Sequence, residues 1–471
     1  MQIHSPEFKQ NARIALKDEQ LQSSLAKFKT GFPEKRRLAV EALPEFDALR
    51  DQARDLKDHI IANLDIYLDE FERKVTEQGG TVHWASSADD ACRIIHEICQ
   101  AVDAKTVTKG KSMVSEEIGL NEYLEKRGIE PVETDLGEYI LQLRKDHPSH
   151  IIAPAIHLTV PQVADTFHEH HKRPRTEDGP ELMAEAREIL RKKFVAADVG
   201  ITGANFLVAE TGGTIIVTNE GNGDLTQSLP DTHVVVSSIE KVIPTLEDLS
   251  LFLRVLTRSA TGQEFSVYTT LSSGGRRDDE QDGPKNYHVV LVDNGRSNMV
   301  GSESQEMLRC IRCGSCMNHC PVYGAVGGHA YGWVYPGPMG SVLTPQMIGI
   351  ENSAQLPNAS TACGKCEEVC PVRIPLPKLM RHWREQEFEK HLTPSAVRWG
   401  LRSWGTLASY PRLYRFAWNL GNKMMRLMGR KAGFIAKLPL ASGWTEHRDM
   451  PAPTGPTFMQ AYKAQQQGDR S

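Results

Sequence analysis

Cys310-Ile311-Arg312-Cys313-Gly314-Ser315-Cys316-Met317-Asn318-His319-Cys320-Pro321 and Cys363-Gly364-Lys365-Cys366-Glu367-Glu368-Val369-Cys370-Pro371 carry seven of the nine cysteines of a 471-residue chain. Two-residue spacers place neighbouring thiolates on different irons of one cubane. The cysteine before proline serves the other cluster in two-cluster ferredoxins. Crossed in this way, Cys310, Cys313, Cys316 and Cys370 make one complete ligand set. Cys320, Cys363 and Cys366 make a second set of three, with Ser360 where a fourth cysteine is expected. That second site suits a 3Fe-4S cluster, or a 4Fe-4S cluster completed by serine, solvent or a partner.

Competing readings of the cysteines fit less well. Structural zinc accounts for CxxC pairs but not for the proline-ended run. Disulfides suit a secreted chain, whereas residues 1–16 are polar and charged and show no secretory signal. Cys92 and Cys99 lie seven apart on one face of a helix-like run and read as buried thiols. With 40% hydrophobic and 24% charged residues the chain has an ordinary globular composition, and a net charge of −5 gives no reason to expect nucleic acid. No run approaches the ~18–20 apolar residues of a membrane span, so a cytoplasmic chain with at most peripheral membrane contact is expected.

Outward from the cysteines, the patterning predicts four regions: a helical N-terminal region (1–79), an α/β domain (80–300), a ferredoxin-like iron–sulfur domain (301–385) and a basic, tryptophan-rich C-terminal region (386–471). In the first, Phe46, Leu49, Ile60, Ile61, Leu64, Tyr67, Leu68 and Phe71 recur at helical steps. Strands are expected at 81–84 and 106–108, with helices at 91–102 and 118–126. This alternation predicts a largely parallel sheet. Further strands are expected at 204–209, 214–218, 233–237, 266–271 and 288–293, and a helix at 246–259. Residues 322–362 contain seven glycines and read as mostly loop. From Leu392 to Thr445 there are nine Lys/Arg, four tryptophans and no acidic residue, with glycine and proline breaks that predict short helices. The last twenty residues read as a loose tail.

Other sites are less specific. The glycine-rich segment from Glu210 to Asp224 has neither GxGxxG nor GxxxxGK[ST]. It reads either as tight turns between core strands or as an anion-binding loop with Glu210 as a base. Arg312 favours a reduced cluster if it lies near the sulfurs, and is otherwise a solvated side chain. His147, His150, His157, His168, His170 and His171 form a histidine region. It lacks a supporting ligand frame, and 168–171 reads as an exposed helix end.

Five segments outside the cysteine runs resemble the LUD domain: Lys109-Gly-Lys-Ser-Met-Val-Ser-Glu-Glu-Ile-Gly119, Gly200-Ile-Thr-Gly-Ala-Asn205, Ala209-Glu-Thr-Gly212, Thr218-Asn-Glu-Gly-Asn-Gly223 and Ser259-Ala-Thr-Gly-Gln263. Followed by CIRCGSCMNHCPVY, GGHAYGWVYPGP and CGKCEEVCPV, they are similar over nearly the whole chain to the bacterial lactate-utilisation iron–sulfur B family. The resemblance implies a LUD α/β domain related to ribose-5-phosphate isomerase and CoA-transferase folds, joined to an α-helical ferredoxin-like domain with helical ends. It implies two iron–sulfur clusters on the seven cysteines named above. It also implies two partner proteins, a cysteine-rich iron–sulfur subunit and a second LUD protein, in oxidising L-lactate to pyruvate. No catalytic residue is carried over. A stand-alone 2-hydroxy-acid dehydrogenase, with its substrate site in the LUD domain, and a scaffold with structural clusters are the competing functions.

Overall fold

Runs such as Val234-Val235-Val236 are apolar on both faces and β-branched, which suits a strand covered on both sides. In the computed structural model, which describes residues 3–439, 442–446 and 448–468 (without the side chains of 27–30, 442 and 468), this run is the centre of a six-stranded sheet. Ten strands are used below: β1 (Thr81–Ala85), β2 (Thr106–Lys109), β3 (Glu130–Glu133), β4 (Val199–Gly203), β5 (Phe206–Val208), β6 (Gly213–Thr218), β7 (Thr232–Ser238), β8 (Val242–Ile243), β9 (Tyr268–Ser272) and β10 (Asn286–Val292). The large sheet has the order β1-β10-β7-β4-β2-β3, with every neighbouring pair parallel. From β2 the chain moves outward to β3, and from β4 it moves the other way through β7 to β10. The carboxyl ends of β2 and β4 therefore open a crevice where the winding reverses, the usual ligand position in such sheets.

A smaller mixed sheet, β8-β5-β6-β9, lies downstream of this point. The strand expected at 204–209 is present as β5, and a further strand, β4, precedes it without having been expected. Residues Val199–Gly203 belong to the large sheet and Phe206–Val208 to the small one. Gly200 hides the first from a propensity reading. A Cβ there would meet Thr226 O at 1.8 Å, so close backbone approach requires glycine in mid-strand. The helix expected at 118–126 is present as Leu120–Glu125, and a further short helix, Met113–Glu117, precedes it, separated by left-handed Gly119.

Helices Phe46–Ala62 and Leu64–Glu77 bury the apolar stripe legible in sequence, with Tyr67 only partly buried. One continuous core runs from these helices through β5, β6 and β8 into the cysteine region. Cys92 and Cys99 are buried in helix Ala88–Ala101 against the large sheet.

Two loop expectations are corrected. Residues 322–362 contain a helix, Gly337–Ile348, buried from Gly337 through Pro345. It is mostly apolar, and even its Ser341 and Thr344 are buried, so it has no amphipathic period to find. The C-terminal helices are Ser395–Ser409 and Pro411–Met428, longer than the glycine breaks suggested. Gly400, Gly405 and Gly421 sit inside them with open space at the Cβ position. The supposed tail includes helix Phe458–Gly468; residues 469–471 lie outside the described residues. The chain up to Glu389 forms one compact unit and that from Lys390 another.

Candidate metal centre

The two cysteine runs fold alike. Arg312 (φ 59°) and Gly314 (φ 73°) flank Cys313, and Ala362 (φ 54°) and Gly364 (φ 79°) flank Cys363. Left-handed residues on both sides of a cysteine gather backbone amides around its sulfur. The Cys313 sulfur accepts from the Ser315 N–H, and Cys363 accepts from that of Lys365. A four-residue helix follows in each case, Ser315–Asn318 and Lys365–Glu368, and then the Cys-Pro pair. The Cys320 sulfur accepts from Tyr323 N at 3.5 Å and that of Cys370 from Ile374 N at 3.4 Å. In this repeat Ser360 occupies the position that Cys310 has in the first loop, and its Oγ accepts from Ala362 N at 3.0 Å.

Cys310, Cys313, Cys316 and Cys370 line a single pocket, closed by Ile151, Met307, Met339, Ile374 and Leu376. Cys320, Cys363 and Cys366 are electrostatic neighbours of one another. Cys363 is exposed, whereas Cys313, Cys366 and Cys370 are buried. Burial pushes the Cys370 thiol up to about 11 and that of Cys366 to about 12, and lifts Cys313 and Cys316 further. Amide and hydroxyl hydrogen bonds lower Cys363. Bound iron would reverse the burial effect, because a coordinating thiol is deprotonated outright.

The four-cysteine pocket is held from the N-terminal helices. Arg50 donates to Cys370 O at 2.8 and 3.0 Å and also to Glu368 O, and Arg36 donates to Val369 O at 3.2 Å. Behind Cys310 lies a buried ion network. Arg296 pairs with Glu117 at 2.7 Å and with Glu240 at 3.0 Å, and Arg312 pairs with Glu240 at 3.3 Å. Tyr335 donates to Glu117 at 2.5 Å, and the Arg312 guanidinium lies 5.0 Å from the centre of the Tyr335 ring. Lys57 donates to Glu240 O at 2.5 Å and Lys241 to Ala204 O at 2.7 Å.

Four cations (Lys57, Lys241, Arg296 and Arg312) thus face two carboxylates, Glu117 and Glu240. Burial opposes the Glu240 charge, but Arg296 and Arg312 outweigh it and hold the carboxyl at about 2. Burial lowers Lys57 and Lys241 to about 8. The surplus of buried positive charge fits a net-anionic, cysteinate-bound cluster. So do the unpartnered buried Arg312 Nε and Ser315 Oγ. The Arg312 side chain is only 8% exposed, so the solvated alternative does not hold.

The glycine-rich segment divides. Exposed Glu210 accepts from Leu246 N at 3.1 Å and caps a helix; it has no place at the crevice. Thr218, Asn219, Glu220, Asn222 and Gly223 do line a cavity of about 310 Å³. That cavity lies at the β2/β4 crevice and shares Ile151, Arg312 and Cys313 with the cysteine pocket.

The histidines disperse. His150 meets Asn318 at 2.9 Å, and His171 is buried against Glu185 and Tyr139. Asp146, His157 and His329 bring ligand atoms within 4.8 Å of one another. His329 Nε2, however, donates to His147 O at 2.7 Å, which spends that nitrogen. Glu117, Arg296 and Glu240 escaped the sequence reading. They are far apart in the chain, and only the charged residues inside otherwise apolar surroundings hint at them.

Residues 68–292 match the LUD domain and residues 306–374 the 4Fe-4S dicluster domain, so this is a LUD-domain iron–sulfur protein. The chain is 40% identical over 477 residues to "Lactate utilization protein B" of Bacillus subtilis (strain 168), covering 100% of this chain and 99% of the relative. It is 41% identical over 463 residues to the protein of that name in Macrococcus caseolyticus, covering 97% of each. It is 40% identical over 468 residues to "Uncharacterized electron transport protein YkgF" of Escherichia coli (strain K12), covering 98% of this chain and 97% of the relative. The chain belongs to the lactate utilization protein B family. A solved DUF162 family protein from Deinococcus radiodurans aligns at a TM-score of 0.28 and 15% identity, over 49% of this chain and 98% of that one. Among the described residues no helix is long and apolar enough to cross a membrane.

Proposed function

We propose that this chain is the iron–sulfur electron-transfer subunit of a complex that oxidises L-lactate to pyruvate. The observation that carries the reading is the convergence of Cys310, Cys313, Cys316 and Cys370 on one closed pocket beside a surplus of buried cations. In this reading those four cysteines hold a 4Fe-4S cluster. Cys320, Cys363 and Cys366 hold a second cluster, 4Fe-4S or 3Fe-4S, with Ser360 at the fourth position. Bound clusters supply one-electron oxidation and reduction. The protein residues hold them, keep water from the inner one and set the charge around it.

The relatives' names support lactate as the source of electrons and electron transport as the task. The partners in this reading are a cysteine-rich iron–sulfur subunit and a second LUD protein, in the cytoplasm. The doubly wound parallel sheet supports kinship with ribose-5-phosphate isomerase and CoA-transferase folds, and the short helices after each CxxC pair support a helical ferredoxin. Helix Pro411–Met428 sets Arg412, Arg415, Lys423 and Arg426 along one side and Leu413, Phe416, Leu420 and Met424 along another. That segregation supports peripheral contact with an acidic partner or an anionic membrane surface.

The test is anaerobic reconstitution with both partners and L-lactate, followed by visible absorption and EPR. Cys313→Ser and Cys366→Ser are each expected to abolish lactate-dependent electron flow while circular dichroism stays unchanged. Normal flow in both variants rejects the reading.

A further inference from the structure

The cavity beside the cysteine pocket is more than packing space. Its position follows from topology. Gly110, Lys111 and Ser112 follow β2, and Ala204 and Asn205 follow β4, so the lining comes from the two strand ends where the winding reverses. Ligands in open α/β sheets bind at this place because strand ends and loops there leave polar groups unspent. Three residues with such groups line the cavity. Lys241 gives one N–H to Ala204 O; Glu240 lies near enough to act on its charge, but among the described residues no ion pair of Lys241 is formed. Asn205 uses its Oδ1 to accept from Val217 N at 2.9 Å, which leaves the NH2 as a donor. Ser112 Oγ accepts from Ser115 N at 3.3 Å and keeps its own proton to give.

An ammonium, an amide NH2 and a hydroxyl together recognise a carboxylate and an adjacent oxygen substituent. The other end of the cavity is acidic and does not compete for such a ligand. Lys111 there faces Asp135, Glu138 and Glu220, and burial raises Glu138 and Glu220. Arg312, with its unpartnered Nε, forms part of both the cavity wall and the cysteine pocket.

We infer that this cavity binds a 2-hydroxy or 2-oxo carboxylate at Lys241, Asn205 and Ser112, against the wall it shares with the four-cysteine centre. The inference rests on the lactate reading above and adds that the organic acid sits in this chain rather than only in a partner. It has a consequence that a site elsewhere lacks. The carboxylate and the cluster share the charge of Lys241 and Arg312, so each weakens the hold on the other's negative charge. Bound acid lowers the midpoint potential of the four-cysteine cluster, and reduction of that cluster loosens the acid by the same factor.

The test uses the full chain with both clusters reconstituted anaerobically. The probe is α-hydroxyisobutyrate, a 2-hydroxy acid with no hydrogen on the carbinol carbon and therefore no electrons to give. The expected result is saturable binding by calorimetry and a lowered midpoint for the four-cysteine cluster alone in an EPR-monitored titration. Inorganic phosphate at the same concentration is expected to do neither. Asn205→Asp keeps the oxygen that accepts from Val217 N but turns the donor into an anion. It is expected to weaken binding more than tenfold while both cluster signals remain.

Absence of binding and of any potential shift overturns the inference, as does equal binding by phosphate or undiminished binding in the Asn205→Asp protein. The electron-transfer reading is tested apart from this, by adding L-lactate and both partners. Clusters that are then reduced in a chain that binds no acid leave the relay standing and remove only the cavity site. Clusters that stay oxidised remove the relay.

Discussion

Two loops of this molecule share a backbone and differ in almost everything around it. Arg312-Cys313-Gly314 and Ala362-Cys363-Gly364 both place a cysteine between two left-handed residues, start a four-residue helix and end at Cys-Pro. The first sits over Arg296, Glu117 and Glu240, all buried, reaches them through the Arg312 side chain, and opens onto the polar cavity. The second carries an exposed cysteine, Ala362 in place of Arg312, and Ser360 in place of Cys310. In the proposed reading, cysteine spacing therefore sets where iron goes, whereas packing against the LUD domain and N-terminal helices decides what kind of centre it becomes. Burial and nearby charge are the terms by which proteins tune such centres.

The sharpest way to break this contrast is to remove one ligand from each side. Cys370→Ser takes away a proposed, buried ligand from a pocket that also anchors Arg50. It is expected to abolish the four-cysteine cluster and to lower the thermal midpoint of the chain. Cys363→Ser acts at an exposed position and is expected to cost only the outer cluster, with the midpoint held. Iron analysis and EPR beside a melting curve distinguish the two. Equal destabilisation by both variants means that the outer loop is as integral to the fold as the inner one.

The next effect is on the ion network. Glu117 is fully buried and, despite burial, held ionised by Arg296, Tyr335 and Asn294. Glu117→Gln leaves Arg296 with an incomplete partner set, and breaking a buried pair in this way costs ~3–5 kcal/mol. Urea unfolding of the reconstituted protein measures it, and a loss below 1 kcal/mol would mean the network is solvated. A smaller and more specific change is Arg312→Gln. A buried charged hydrogen-bond partner contributes about 1.5–3 kcal/mol, and 1.4 kcal/mol corresponds to about 59 mV for one electron. The inner cluster's midpoint is therefore expected to fall by about 60–120 mV with the outer one unmoved. A parallel shift in both centres removes the electrostatic distinction between them.

Sequence reading reached the local parts of this picture. CxxC spacing, the Cys-Pro ends and the odd Ser360 are statements about neighbouring residues, and so are the helical stripe of the N-terminal region and the valine run of β7. It failed where long-range packing rules. Gly200 sits in a central strand because Thr226 O fills the space of a side chain, so β4 carries no strand pattern in its sequence. Helix Gly337–Ile348 is buried on all sides and offers no amphipathic pattern. Arg296 reads as one more charged residue, yet it is buried between Glu117 and Glu240. The cavity was half visible. Thr218 to Gly223 were singled out for their glycines, but Ser112, Asn205 and Lys241 meet them only through the sheet's reversal.

The smallest effect locates acid sensitivity. Glu240, held at about 2, keeps its charge throughout the range from pH 5 to 7. The large sheet behind the cavity does contain a group that titrates there on unfolding. His233, buried in β7 with Nε2 2.8 Å from Thr202 Oγ1 and Nδ1 unpartnered, is lowered to about 3 by burial and then by His288. Its imidazole is neutral when folded, while the unfolded chain takes up a proton below about 6.5. The unfolded state therefore binds more protons between pH 6.5 and 3, and stability falls as pH falls through that window, by up to about 1.4 kcal/mol per unit for this histidine. Urea midpoints at pH 7, 6 and 5 measure the slope. His233→Gln, which can still reach Thr202, is expected to flatten it without moving either cluster's potential. An undiminished slope in that variant assigns the acid sensitivity to another imidazole; His150, lowered to about 3 by burial beside the inner loop, is the next to replace.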